Sequence, residues 1–231
     1  MLESVDICSD MPGPALRQIE RGSIVLEPKN DSQVFRQGDP SDAIYAIVAG
    51  EGFVRIAAAS PASKILMVEV FRKGDVFGEI GVIDGEPRTA HAEVDGQVRL
   101  LKIPRAVFLD AIAQTPVLGL AMARLLCRRL RRTFGLFEAA SFESLEVRLA
   151  QQLLYLAAVS GRRSPAGIRL TGRLRQSDLA DLLGTTPRSI ITILNDWRAR
   201  GTVAYAAAQG ILTLLDDAAL RTISRRDFPL S

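Results

Sequence analysis

Phe77-Gly-Glu-Ile-Gly-Val-Ile-Asp-Gly-Glu-Pro-Arg-Thr-Ala90 sets a carboxylate, a guanidinium, a hydroxyl and three glycines in one short stretch. Ionised Glu79 only accepts hydrogen bonds, and Arg88 offers a fixed fork of donors suited to an anion. Gly78 and Gly81 let the main chain approach closely with N–H groups turned toward negative charge. Together these groups suit a cyclic phosphodiester on a ribose: Glu79 for the sugar hydroxyl, Arg88 for the phosphate, Thr89 as a further hydroxyl. A plain salt bridge would account for Glu79 and Arg88 but not for the glycines and Thr89 beside them.

On either side of this stretch the chain reads as short β-type runs from Ser23 to about Leu101: Gln33-Val-Phe, Ala43-Ile-Tyr-Ala-Ile-Val, Gly52-Phe-Val-Arg-Ile, Ile65-Leu-Met-Val-Glu-Val, Thr89-Ala-His-Ala-Glu-Val and Val98-Arg-Leu-Leu-Lys-Ile. Turn signals separate them at Gly38-Asp39-Pro40, Gly50-Glu51-Gly52, Lys73-Gly74-Asp75 and Asp95-Gly96. The spacing predicts a compact antiparallel roll.

After Pro104 the period lengthens. Asp110 to Glu138 reads as helix, broken at Thr115-Pro116. Gly119, Ala123, Leu126, Leu130, Thr133 and Phe137 recur in steps of four and three, a heptad seam that asks for a second helix, most simply from a second copy of the chain. Arg128, Arg129, Arg131 and Arg132 suggest either a second DNA patch or, as is usual for a coiled-coil helix, outward charges. A further helix spans Glu143 to about Ser160, and Gly161 to Gly167 reads as a loop. Ser177 to Leu183 and Pro187 to Arg200, joined by Gly184-Thr185-Thr186, then form a helix-turn-helix, and Thr202-Val-Ala-Tyr with Ile211-Leu-Thr-Leu-Leu form a two-stranded wing. Ile190, Ile193, Leu194 and Trp197 anchor the second helix, which leaves Arg188, Ser189 and Thr192 for base edges. Arg173, Arg175, Ser177 and Thr186 are the candidates for contacts that set register on a duplex.

Charge agrees with this division. Residues 1–112 hold 12 Lys and Arg against 17 Asp and Glu, a net −5, whereas residues 113–231 carry 17 basic residues, all arginine, against 9 acidic ones, a net +8. The second half is therefore expected to face a polyanion.

The segment 77–90, with Phe35-Arg-Gln-Gly-Asp-Pro-Ser-Asp-Ala-Ile-Tyr-Ala-Ile-Val-Ala-Gly50 upstream, closely resembles the phosphate-binding cassette and roll of the catabolite activator protein / fumarate-nitrate regulator (CRP/FNR) family, in its cyclic-nucleotide-binding branch. The likeness runs from about Ile24 to Leu215. It implies an α+β chain with an N-terminal antiparallel β-roll of jelly-roll type over 1–112, a dimerisation helix and hinge over 113–140, and a C-terminal winged helix-turn-helix over 141–231. It also implies that Gly78 and Thr89 touch the phosphate, that Arg88 neutralises it, that Glu79 holds the ribose, and that Ile80 belongs to the same contact set. A hydroxyl from the long helix over the purine is matched by Thr133. Phe134 follows where the family favours a second small hydroxyl, so it either stacks on the base or fills the dimer interface. The expected effector is cAMP, with cGMP second, and the expected partners are a double-stranded DNA operator, a second copy of the chain and RNA polymerase. The family's frequent arginine-glutamate pair is replaced by Pro187-Arg188, and a further arginine by Thr192, which implies a different operator.

Other classes fit less well. The longest apolar runs fall short of a membrane-spanning helix, and Glu3, Asp6 and Asp10 near the start run against a secretion signal, so a soluble cytoplasmic regulator with no membrane partner is expected. Two cysteines, Cys8 and Cys127, are too few for a disulfide framework or an iron-sulfur cluster within one chain. One histidine, His91, and no Walker-type loop leave no catalytic centre to name, so no enzyme and no metal site are expected. The competing readings are a haem or redox sensor of the same architecture, with His91 or a cysteine as axial ligand, and a regulator whose cassette is vestigial.

Overall fold

The computed structural model describes residues 1–59, 65–170, 174–207 and 209–224. They fall into two units: Met1–Ala59 with Val68–Thr133, and the described residues of Ser60–Met67 with those of Phe134–Ser231.

In the first unit, two 3₁₀ turns (Leu2–Ser4, Asp6–Cys8) and helix α1 (Gly13–Arg21) precede the strands β1 (Ile24–Leu26), β2 (Gln33–Phe35), β3 (Ala43–Gly50), β4 (Phe53–Ala59), β5 (Ile65–Phe71, of which the residues from Val68 on belong to this unit) and β6 (Val76–Phe77). The short helix α2 (Glu79–Asp84), strands β7 (His91–Asp95) and β8 (Val98–Pro104), helix α3 (Arg105–Gln114) and the start of the long helix α4 (Pro116–Phe142) follow. The strands make two sheets, ordered β1-β8-β3-β6 and β2-β7-β4-β5. β3 explains the unbroken apolar run of its sequence, because it is buried on both faces. Its alternate residues Ala43, Tyr45 and Ile47 join Val54, Phe77, Val94 and Leu100 inside the roll. Ile44, Ala46 and Val48 face the other way, into a core with Leu2, Leu16, Ile19, Phe108, Leu118 and Met122. The N-terminal turns are thus a lid on the back of the roll.

The second unit contains α5 (Leu145–Ser160), β9 (Gly161–Ser164), β10 (Gly167–Leu170), α6 (Gln176–Leu183), α7 (Pro187–Ala199), β11 (Val203–Ala206), β12 (Ile211–Leu214) and α8 (Asp217–Ser224). Ser144 caps α5 by accepting a hydrogen bond from the Val147 N–H. Gly184 ends α6 with φ +61°, a left-handed conformation that glycine adopts without a Cβ clash, and so makes the tight turn into α7. Leu179, Leu183, Ile190, Leu194 and Trp197 are buried where the two helices meet their surroundings. The Trp197 indole N–H donates to Glu146 at 3.0 Å. Arg148 donates to the Leu183 carbonyl at 2.6 Å, satisfying an acceptor at the end of α6.

Three expectations need correction. Gly161 to Gly167 is not all loop: β9 and β10 pair antiparallel, Arg162 opposite Arg169, and extend the wing to a sheet ordered β11-β12-β10-β9. Gly-Arg-Arg-Ser lacks the apolar alternation of a strand, and its conformation follows from pairing with β10. On α4, two of the six seam positions turn toward the protomer itself. Leu126 packs against the protomer's own core, and Gly119 lies against Ile112. Leu120, Ala123, Cys127, Leu130, Phe134 and Phe137 are exposed instead, at steps of three and four. Finally, Arg129 and Arg132 are not outward charges. They continue the inward face of Leu118, Met122 and Leu125 at helical spacing and pair with Glu79 and Glu69.

Candidate nucleotide pocket and nucleic-acid interface

β6 ends at Phe77 and α2 begins at Glu79, so the chain must reverse at a single residue, Gly78, which takes φ +79°. A Cβ at Gly78 would lie 2.6 Å from the Arg88 Nη1 and 3.3 Å from the Phe35 ring. Glycine is required there by both backbone and space. One turn later a Cβ on Gly81 would overlap the Ser41 hydroxyl and the Glu86 carbonyl.

Arg88 is 4% exposed. Its Nη1 donates to the Gly78 carbonyl at 2.7 Å and its Nη2 to the Ala43 carbonyl at 2.6 Å, while Asp42 lies 3.5 Å away. The guanidinium stacks over Phe35 with 4.2 Å to the ring centroid. Its main chain is clamped as well: Arg88 N–H donates to Asp39 O, and Gly38 N–H donates to Arg88 O. Burial pushes the Arg88 pKa below the usual arginine value, opposed by nearby Tyr45, Asp42, Asp39 and Glu79. Arginine starts so high that it stays a cation at neutral pH. Its Nε–H is buried with no partner, and so is the Ser41 Oγ, the two such side-chain atoms among the described residues. An orphaned cationic N–H in this position is ready for an anion.

Glu79, 3% exposed, is held by Arg129 at 2.6 Å. Arg129 also donates to the Val76 carbonyl at 2.6 Å and stacks on Phe71 at 4.4 Å. The pocket therefore contains a charge that the sequence reading missed. The signal was present, since Arg129 stands seven residues after Met122 on the buried face of α4.

Gly78, Glu79, Ile80, Arg88 and Thr89 are brought together in one loop and helix start, with Ile80 and Thr89 exposed. Thr133 lies one turn beyond Arg129 on α4, its hydroxyl donating to the Arg129 carbonyl at 3.0 Å. Phe134 is 64% exposed, on the same stripe as Leu130 and Phe137. His91, the candidate axial ligand, accepts at Nδ1 from the Gln37 N–H at 3.3 Å and so ties β7 to the turn that clamps Arg88.

In the second unit α7 has an exposed face that starts with Arg188 and includes Thr192, whose hydroxyl donates back to the Arg188 carbonyl at 3.0 Å. Ser189 is half-buried, its hydroxyl 3.0 Å from that of Thr186. The Thr186 hydroxyl in turn caps α7 by accepting from the Ser189 N–H. Arg175 and Ser177 are exposed at the start of α6, where the Arg175 N–H donates to Asp178 at 2.8 Å. Arg173 lies outside the described residues.

Comparison with known proteins follows the same division. Residues 26–115 match the cyclic nucleotide-binding domain and residues 147–223 the Crp-like helix-turn-helix domain. The chain is 32% identical over 170 residues to the CRP-like cAMP-activated global transcriptional regulator of Mycobacterium tuberculosis, covering 74% of this chain and 75% of that protein. It is 26% identical over 191 residues to the global nitrogen regulator of Synechococcus elongatus, covering 82% and 81%. Its fold superposes with a TM-score of 0.74 on a CRP-family transcriptional regulator from Thermus thermophilus, at 23% identity and covering 89% and 100% of the two chains. No single described helix is long and apolar enough to cross a membrane. With a nucleotide-binding roll, a winged helix-turn-helix and a relative at this identity over three quarters of its length, the chain belongs to the CRP/FNR family of transcription regulators.

Proposed function

We propose that this chain is a cAMP-responsive, sequence-specific DNA-binding regulator that works as a homodimer in the cytoplasm and acts on RNA polymerase. The roll (1–112) takes the effector, α4 and its hinge (113–140) join two copies, and the winged domain (141–231) takes the operator. The observation that carries the reading is the buried Arg88 with one N–H unpartnered beside Glu79 and Arg129. A cyclic phosphate supplies the acceptor that Nε lacks, and a ribose hydroxyl donates to Glu79. Gly78 and Thr89 complete the phosphate contact, Ile80 packs beside it, and Thr133 and Phe134 meet the base or the partner helix.

Support for cAMP comes from the Mycobacterium tuberculosis relative, whose name describes it as cAMP-activated. The exposed hydroxyl of Thr89 also suits the exocyclic amine of guanine, which makes cGMP the second reading. Support for the dimer is the stripe of Leu120, Ala123, Cys127, Leu130, Phe134 and Phe137, which follows a two-helix seam. On the DNA, Arg188 and Thr192 are assigned to base edges, Ser189 to the cap of α7 with Thr186, and Arg173, Arg175, Ser177 and Thr186 to the backbone.

Calorimetric titration of the full chain with cAMP and cGMP tests the effector. Saturable heat with cAMP, weaker binding of cGMP, and loss of both in Arg88→Leu are expected. Flat titrations of the wild type with both nucleotides at millimolar concentration would overturn the proposal.

A further inference from the structure

The exposed face of α7 is not fully described by Arg188, Ser189 and Thr192. The buried side is fixed by Ile190, Leu194 and Trp197. At about 100° per residue, Thr192 lies about 40° from Arg188 around the helix, Ser189 about 100° away, and Asn195 only about 20° away on the other side. Asn195 is exposed and, among the described residues, its side-chain amide has no hydrogen bond. Its neighbour Asp196 is occupied by Arg200 at 2.8 Å. Ser189, by contrast, is half-buried and drawn into the N-terminal cap with Thr186. Asparagine in the middle of an exposed helix is a poor helix former, so local stability does not explain its presence at the centre of this stripe.

We propose that Asn195 is a base-reading residue of the recognition helix, and that it takes an adenine. This rests on the proposed docking of α7 in the major groove. A side-chain amide offers one donor and one acceptor side by side, the complement of adenine N6 and N7. Asn195 stands about 10 Å along the helix axis from Arg188, at 1.5 Å per residue. That rise equals about three base-pair steps of 3.4 Å. The half-site therefore carries an A·T pair about three steps from the pair read by Arg188, with Thr192 over the interval between them. Ser189 belongs to the helix cap rather than to the base contacts.

Selection from randomised duplexes, run on the full-length wild type, Asn195→Ala, Asn195→Asp, Arg188→Ala and Ser189→Ala, each with millimolar cAMP and without nucleotide, separates these assignments. Because Asn195 is exposed, thermal melting of its variants should match the wild type. Asn195→Ala is expected to lose the adenine preference at one position per half-site and to weaken the selected operator roughly tenfold per half-site. Asn195→Asp should shift that position toward cytosine, whose amino group an acceptor-only side chain meets. Ser189→Ala should leave every position unchanged. If Arg188→Ala alters its own position while Asn195→Ala reproduces the wild-type profile, the Asn195 assignment is wrong and the docking of α7 stands. A uniform loss over all sequences, with a shallower salt dependence, would make Asn195 a phosphate contact and also overturn the inference. Unchanged profiles for both Arg188→Ala and Asn195→Ala would remove α7 from the groove altogether.

Discussion

The roll and the winged domain both carry arginines proposed to meet their ligands, yet they hold them in opposite ways. Arg88 is buried, stacked on an aromatic ring and bonded to two main-chain carbonyls before any ligand arrives. Arg175 and Arg188 stand in solvent. A small anion offers few contacts, so each must be strong, and a desolvated, preorganised guanidinium gives strength because the field is less screened there. A duplex offers many phosphates and base edges, so exposed and adjustable donors suffice, at the cost of screening by salt. The difference implies that site and fold are inseparable in the roll and separable in the winged domain.

α4 carries both kinds of surface, and the largest effect is expected there. Arg129 and Arg132 face inward to Glu79 and Glu69, while Leu130 and Phe137, 54% and 73% exposed in the protomer, face outward. Replacing both outward residues with glutamate would bury two charges per chain in the proposed seam, at several kcal/mol for each ion. Sedimentation should then report monomers, while far-ultraviolet circular dichroism stays that of the wild type because neither residue belongs to the protomer's core. A dimer that persists would mean that another surface holds the copies together. Leu126 is the wrong residue for this test, since it packs inside its own unit.

Next in size is a direct contrast between the two arginine environments. Arg88→Leu leaves the Gly78 and Ala43 carbonyls without their donor and removes the stacked cation over Phe35. Each buried acceptor left unpaired costs about 1–3 kcal/mol, so for two of them urea denaturation should show a loss of about 2–6 kcal/mol, in addition to the loss of nucleotide binding. Arg188→Ala should change stability by less than about 0.5 kcal/mol, as surface substitutions usually do, while weakening DNA binding. Equal stability for the two variants would break the comparison, because Arg88 would then be no part of the roll's structure.

Much of this arrangement was legible in the sequence. Short β-type runs and glycine turns placed β2, β3, β4, β5 and β8 to within a few residues, and the Gly184 turn placed α6 and α7. The cassette candidates could be picked out because chemistry and spacing coincide in one local segment. Elements held by tertiary pairing were harder to see. β6 is two residues long, and β9 carries two adjacent arginines, so neither shows a strand period of its own. Arg129 was missed for a related reason. Four arginines within five residues resemble a solvated helix face, and only the continuation of the buried positions Leu118, Met122 and Leu125 tells which of them turn inward.

The smallest expected effect sharpens the comparison at the rim of the cassette, where Asp42 lies between the buried Arg88 and the more open Lys102. Lys102 donates to Asp42 at 2.7 Å. The hydrogen bond to Asp42 raises the lysine's pKa above its usual value, against a smaller opposing effect of burial. For Asp42, burial acts to raise the pKa, but the hydrogen bond from Lys102 and the charges of Lys102 and Arg88 together hold it below the usual aspartate value. The signs determine the window. The lysine's contribution is complete below its unfolded value and is lost as pH rises through its raised folded value. The aspartate's contribution is present above its unfolded value and is lost as pH falls through its depressed folded value. The pair is therefore intact from mildly acidic to mildly alkaline pH. Lys102→Met keeps the length of the side chain and removes the charge. Because the Asp42 side chain is 58% exposed, the pair is worth only about 0–1 kcal/mol. The stability difference between wild type and Lys102→Met, followed by urea denaturation across pH, should be a low plateau at neutral pH that shrinks at both extremes. A difference that instead stays flat as pH falls through the carboxylate range would show that Asp42 is stabilised by Arg88 rather than by Lys102. It would then count as part of the buried cassette.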